Sequence, residues 1–334
     1  MKKISYVLPV YNEGESIDRF YTDLRRALAK VRDRYTFELI FVDDGSRDDS
    51  LERMKAIHAA DPDVKVVSFS RNFGHQIAIT AGIDLSTGDA TIVMDTDLQD
   101  PPEVSLELIE RWEQGYDVVY AQRRTRGDTF FKRWTAHAYY RLLNRLSDVE
   151  IPRDTGDFRL MDAQVTAELR RFREKNRFVR GLVASLGFRQ TAVAFDRPNR
   201  FAGKTNYPLK KMVKLAYDGV TSFSTQPLQL ITRLGFLAFL ASVVGIAYAL
   251  VVKIFFPEEA VSGWTMTIIV ILLMGGIQML TLGIVGTYVG RIYSEVQQRP
   301  LYIVSEVLQH GGEAVGHPAS AATQTAARPM SRTD

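Results

Sequence analysis

Two long stretches without a charged residue constrain this chain more than any other feature. Residues 234–252 are 19 uncharged positions between Arg233 and Lys253, and residues 260–290 are 31 between Glu259 and Arg291. A helix needs about 20 mostly apolar residues to cross a hydrocarbon core of about 30 Å. Helices buried in a soluble core seldom run so far without a charge. The pattern therefore predicts two transmembrane helices, at about 230–254 and 264–290. The connection between them is short and acidic through Glu258 and Glu259, whereas the outer flanks carry Lys210, Lys211, Lys214, Arg233, Arg291 and Arg299. Cationic flanks stay on the cytoplasmic side, so both termini are expected there and the hairpin tip outside. Gly286 and Gly290 form a GxxxG pattern, through which copies of the chain would approach closely as a homo-oligomer.

Ahead of the hairpin the chain reads as a soluble domain. Met1-Lys2-Lys3 before an apolar run imitates a signal peptide, but the run is short, contains Pro9 and has no small-residue cleavage site. A first strand is expected instead. Short apolar runs at 4–9, 37–42, 64–69, 91–94 and 118–120 alternate with helical patterns at 16–32, 50–60, 75–85 and 102–114. Such alternation predicts an α/β fold, a mostly parallel sheet covered on both faces. Ligands of such sheets sit at the carboxyl ends of the strands.

The expected domains are 1–207 for this sheet, 208–227 for a juxtamembrane amphipathic helix, 228–300 for the two spans and 301–334 for a tail, disordered after about 310. Within the first domain, 128–146 interleaves Phe130, Phe131, Trp134, Tyr139 and Tyr140 with Lys132, Arg133, Arg141 and Arg145, the pattern of a helix lying in a membrane interface. The absence of cysteine excludes a disulfide scaffold, thiolate metal sites and a cysteine nucleophile. A net charge of +3 is too small to indicate a nucleic-acid partner, and none is expected.

The chemistry concentrates in three acidic loops that follow three strands: Pro9-Val10-Tyr11-Asn12-Glu13, Asp43-Asp44-Gly45-Ser46 and Asp95-Thr96-Asp97-Leu98-Gln99. A carboxylate at a strand end can accept hydrogen bonds from a base or ribose. The D-x-D pair brings two hard oxygens near one point, which suits Mg²⁺ or Mn²⁺ on a diphosphate. Each loop alone is weak evidence, and Asp43-Asp44-Gly45-Ser46 alone reads equally as a turn and helix cap. Together they form a constellation. No G-x-G-x-x-G is present, and Gly203-Lys204-Thr205 lacks the earlier glycine of a P-loop. His58, His75 and His137 are scattered and read as ordinary surface or satisfied histidines.

In order along the chain, VLPVYNEGES, FVDDGSRDDS, SFSRNFGHQIAITAG, MDTDLQDPPE, GDFRLMD, RFAGKTNYPL and LGIVGTYVGRIYSEVQQRPLYIV resemble glycosyltransferase family 2, in its polyprenyl-phosphate branch and nearest to the bactoprenol glucosyltransferases. The resemblance covers residues 4 to about 304. It implies a GT-A fold in which Pro9, Tyr11, Glu13, Asp43 and Asp44 line the nucleotide pocket. Asp95, Asp97 and Gln99 would surround a Mg²⁺ or Mn²⁺ ion on the diphosphate. Asp157, in Gly156-Asp157-Phe158-Arg159, matches the family's active-site carboxylate, with Asp97 as its catalytic partner. Arg123 and Arg200 match basic positions near the lipid phosphate, and Arg133 and Lys204 are looser candidates.

What the resemblance implies is inverting transfer of a hexose from a UDP-sugar to undecaprenyl or another polyprenyl phosphate, at the cytoplasmic face of a bacterial inner membrane. GDP-mannose and amino-sugar nucleotides are the alternative donors. A lipid-phosphate-binding scaffold with an inactive transferase domain is the non-enzyme alternative.

Overall fold

The computed structural model describes residues 1–124, 155–175, 177–196 and 264–310, with scattered helical positions between 232 and 255. These fall into two compact units. Residues 1–124, 155–196 and 299–310 form the first, and 264–298 belong to the second. The expected interfacial helix, the juxtamembrane helix and the tail beyond 310 lie outside the described residues.

The first unit is built on one eight-stranded sheet. Its parallel centre is β1 (Lys2–Val10), β2 (Tyr35–Asp43), β3 (Val64–Phe69) and β4 (Ala90–Val93). Residues 4–10 of β1 are all buried, as expected of a strand covered on both faces. The Pro9 carbonyl accepts from the Thr96 hydroxyl. The missing N–H of Pro9 points to that same side, beyond the last β1–β4 pair, Val7 with Val93.

The helices between these strands are α1 (Ile17–Leu28), α2 (Ser50–Ala60), α3 (His75–Leu85) and α4 (Pro102–Glu113). In α1 the buried residues Ile17, Phe20, Leu24, Ala27 and Leu28 recur at helical spacing on one face. In α3, Gly82 lies so close to β1 that a Cβ there would stand 2.2 Å from a Val7 methyl. That closeness sets α3 directly on the sheet.

Five elements were not foreseen as elements. After β5 (Val118–Arg123), β6 (Thr155–Asp162) runs antiparallel between β4 and β5. Then come α5 (Ala163–Arg171), α6 (Val179–Ser185) and β7 (Gln190–Phe195), which pairs parallel to β5. Finally β8 (Val304–Leu308) closes the far edge antiparallel to β3. Sequence reading places these last residues in the tail, whereas here they complete the sheet. The strand order is β7-β5-β6-β4-β1-β2-β3-β8.

At the amino ends of the strands, Glu38 on β2 is buried, with its side chain 3% exposed beside Lys65 at 2.5 Å and Lys3 at 3.4 Å. Burial alone would raise its carboxyl. The bonds from Lys65, Ser5 and Thr87 overcome that and lower it to about 2. A carboxyl held below its unfolded value stabilises the fold above about pH 4.5, and that contribution is lost as pH falls toward 2. Glu38→Gln is expected to cost about 2 kcal/mol at pH 7, the scale of hydrogen bonds to a charged group. Urea melts across pH should show wild type and variant converging in acid.

The longest described stretch of the second unit is α7 (Trp264–Val296). Its stretch Leu273–Val296 is long and apolar enough to cross a bilayer, and Leu273, Leu282, Val289 and Ile292 are each about 60% exposed. So much exposed apolar surface on one helix calls for a cover other than water. The helix contains the expected second span. Among the described residues a second helix of that kind is not found, because most of the expected first span lies outside them. The positions described there, including Phe236, Leu240 and Val244, are helical. The two-helix hairpin therefore remains an expectation.

Candidate active site

A cleft of about 270 Å³ opens at the carboxyl ends of β1, β2 and β4 and at the start of α3. Pro9, Tyr11, Glu13, Asp44, Asp95 and Asp97 line it, joined by Asn72, Gly74 and His75. Six of the sequence-derived candidates thus meet in one place. Tyr11 is half-exposed. The turn carrying it is fastened to the next strand's turn. The Asn12 N–H donates to Ser46 Oγ at 3.0 Å, and Asn12 Oδ1 accepts from the Arg47 N–H at 2.8 Å.

The two aspartates after β2 do different jobs. Asp44 reaches the cleft but uses its carboxylate on the loop after β3, accepting from Phe73 N–H at 2.7 Å and Gly74 N–H at 3.0 Å. Burial pushes its carboxyl up, against the pull of those N–H groups. Asp43, expected to line the pocket, instead lies buried behind it. One oxygen accepts from Ser68 Oγ at 2.9 Å and the other from Ser46 N–H at 3.0 Å. Gly45 between Asp44 and Ser46 has φ +67°, and a Cβ there would stand 2.5 Å from the Arg71 carbonyl carbon. Glycine at this position lets the loops after β2 and β3 touch.

After β4, Asp97 Oδ1 accepts the Gln99 N–H at 3.0 Å, which folds the D-x-D segment into a tight turn. Leu98 at its apex takes φ +62°, a left-handed conformation that costs a branched side chain energy. Its side chain packs on the core, which holds the turn in place. Gln99 does not line the cleft.

A second group of charges meets the first at Asp157, on β6. Its side chain is 7% exposed. Gln76 Nε2 donates to Oδ2 at 2.9 Å and Arg180 Nε to Oδ1 at 3.0 Å. His75 Nε2 lies 3.3 Å from Asp157 Oδ2 and 3.5 Å from Asp95 Oδ1, bridging the two carboxylates. Gln76 Oε1 also accepts the Val179 N–H at 2.9 Å, tying α3 to α6. Arg180 Nη1 donates to the Thr155 carbonyl at 2.7 Å, and Arg159 Nη2 to the Gly156 carbonyl at 3.0 Å. Burial opposes charge on both partners of the bridge. For Asp157, the hydrogen bond from His75 and the charges of Arg180 and Arg159 win, and the carboxyl sits far below the usual carboxylate range. For His75, the bond to Asp157 and the charge of Asp95 win, and the imidazole is raised to about 9.

Comparison with known proteins places the chain. The family described as "Glycosyl transferase family 2" matches residues 5–170. An uncharacterized glycosyltransferase of Bacillus subtilis, YkcC, is 51% identical over 305 residues, 90% of this chain and 93% of that protein. The chain belongs to glycosyltransferase family 2. Like its relatives in this family it is a glycosyltransferase. A prophage bactoprenol glucosyl transferase homolog of Escherichia coli is 40% identical, over 91% of this chain and 99% of that protein. The bactoprenol glucosyl transferase of Shigella phage SfV is 39% identical, over 92% and 99%. Among solved structures, the glucosyl-3-phosphoglycerate synthase of Mycobacterium tuberculosis, with Mn²⁺, uridine diphosphate and phosphoglyceric acid, superposes with a TM-score of 0.44. It is 23% identical, covering 65% of this chain and 75% of that chain.

The donor set in this family 2 cleft is compatible with a hard divalent cation. Among the described residues no group of three or more His, Cys, Asp or Glu side chains is arranged around one point. Mg²⁺, however, is commonly held by one or two carboxylates, with substrate phosphates and water completing its shell. Asp95 and Asp97 both line the cleft wall and could supply two such carboxylates. Arg123, at the end of β5, places Nη2 3.7 Å from where a Cβ on Gly156 would stand, next to the Asp157 strand. Arg133, Arg200 and Lys204 lie outside the described residues. Sequence reading missed His75, Gln76 and Arg180. His75 and Gln76 open a helix at the carboxyl end of β3, the position that singled out the acidic loops, and that signal was available. Nothing local marks Arg180.

Proposed function

We propose that this family 2 enzyme transfers glucose from UDP-glucose to a membrane-embedded polyprenyl phosphate such as undecaprenyl phosphate, with inversion at the anomeric carbon. The observation that carries the reading is the cleft that joins the D-x-D carboxylates to Asp157 through His75. The names of relatives about 40% identical over nearly the whole chain support the sugar and the lipid. The exposed apolar length of α7 supports a bilayer location. The two-span hairpin, with catalytic domain and termini cytoplasmic, fits the charge pattern of its flanks.

In this reading the cleft holds the nucleotide, and Asp95 and Asp97 would hold Mg²⁺ or Mn²⁺, while Gln99, outside the cleft, shapes their turn through its N–H rather than serving as the expected ligand. A cation held there would supply charge compensation for the departing diphosphate. An acceptor phosphate is largely ionised near pH 7, its second pKa being about 6, so strong general-base help is less necessary. Asp157 suits that requirement. Held far below the usual carboxylate range by three cationic neighbours, it is a poor proton acceptor and a good fixed charge. Arg123, with Arg133, Arg200 and Lys204, would receive the acceptor phosphate, since guanidinium forks match its oxygens.

The test offers radiolabelled UDP- and GDP-sugars to membranes containing the protein and undecaprenyl phosphate. Glucosyl lipid from UDP-glucose is the expected product. Mannosyl or amino-sugar lipid would reassign the donor. Absence of any lipid product would overturn this reading of donor and acceptor.

A further inference from the structure

The cleft described above uses none of the residues that follow α7, yet these residues pack against the segments that carry its wall. Tyr302 stacks on Phe69 with ring centres 5.2 Å apart and planes 18° apart. Phe69 in turn meets Phe73 edge-on at 5.6 Å. The Phe73 N–H donates to Asp44, a cleft residue. One residue on, the Ile303 carbonyl accepts the Ser70 N–H at 3.0 Å. The loop 70–74, which contributes Asn72 and Gly74 to the cleft, is therefore pinned from outside by the returning chain and from inside by Asp44.

The same tyrosine also fixes α3. Its hydroxyl donates to Asp84 Oδ2 at 3.0 Å, an oxygen shared with Arg173 Nη1 at 2.7 Å. Asp84 lies at the carboxyl end of α3, and His75 and Gln76 lie at its amino end. Tyr302 also packs on the cluster that contains Ala78 and Ala81 of that helix.

We infer that Tyr302 is a positioning residue for the donor pocket, acting through the Phe69–Phe73 ring contacts on loop 70–74 and through Asp84 on α3. This rests on the transferase reading. Packed rings and a shared hydrogen bond form a contiguous path, and substitutions along such paths change binding by modest factors without touching the ligand. The aromatic ring sets the loop, and the hydroxyl adds the fastening to α3.

The experiment uses the full chain in membranes and varies UDP-glucose and undecaprenyl phosphate separately. Tyr302→Ala is expected to raise KM for UDP-glucose about three- to tenfold, with KM for the lipid unchanged. Tyr302→Phe, which keeps the ring and loses only the hydroxyl, should recover most of the loss. A merely structural role would lower the amount of active enzyme, and so apparent kcat, with both KM values unchanged. That result, or an equal rise in both KM values, overturns the inference. Should the alanine variant fail to accumulate, Tyr302→Leu keeps apolar cover on β3 without the stacked ring and should show the same split. A wild-type chain that makes no glucosyl lipid overturns the UDP-glucose reading on which this inference rests, and the inference with it.

Discussion

Replacing Asp157 by asparagine is expected to lower kcat for the proposed glucosyl transfer by about 10²–10³-fold, the range seen when one fixed electrostatic contact at a reacting centre is removed. The side chain keeps its size, and its amide oxygen can still accept from Gln76. What disappears is the negative charge that His75, Arg159 and Arg180 all face. The guanidinium groups of Arg159 and Arg180 then face one another without that charge, and leaving a buried charge without its partner commonly costs about 3–5 kcal/mol of stability. The variant should therefore melt earlier and turn over slowly. KM for UDP-glucose should move little, because Asp157 is not among the residues lining the cleft. Steady-state kinetics beside a thermal melt separate the two effects. A kcat within a few-fold of wild type would remove Asp157 from the catalytic set.

The pH dependence has a definite sign. The His75 imidazole is raised from 6.5 to about 9 in the folded chain. Its contribution to stability is full below about pH 6.5 and fades as pH rises through 9. Asp157→Asn should flatten that alkaline limb. His75 is half-exposed, so solvent screening keeps the effect small.

Asp97→Ala is the second large expected loss, about 10³-fold in kcat/KM, as a few kcal/mol of charge compensation at the diphosphate disappear. Titration with Mn²⁺ should then restore nothing, while the protein remains folded and membrane-bound. Asp97 also accepts the Gln99 N–H that shapes its turn, so alanine removes two things together. Asp97→Asn keeps an acceptor for that turn and removes only the charge. Equal loss in both variants assigns the defect to the carboxylate, whereas a nearly active asparagine variant assigns it to the turn. Near wild-type turnover by Asp97→Ala with all divalent cation chelated would refute the D-x-D assignment.

The parallel half of the sheet was legible because its information is local. Seven consecutive buried residues in β1, apolar runs in β2 and β3, and helical spacing in α1 each speak for themselves. The antiparallel half was not. Nothing in Thr155–Asp162 says that it will slide between β4 and β5, and Val304–Leu308 follows a long apolar helix, where a tail is the natural reading. The site divides the same way. Acidic residues at strand ends follow from topology, and Asp157 was found by resemblance. The side chains that hold Asp157 are Gln76 and Arg180, 81 and 23 positions away along the chain. Contacts of that span leave no periodic trace. Asp43 is the converse case. Its place at a strand end marked it for the pocket, and the serines at 46 and 68 turned it inward.

The position of β8 bears on how the molecule is made. Translation delivers α7 before the strand that covers β3, so through most of synthesis β3 presents an unpaired rim. An uncovered strand rim is a template for misassociation. Chains that stall or are cut ahead of residue 304 would carry every side chain of the cleft and still be prone to clump.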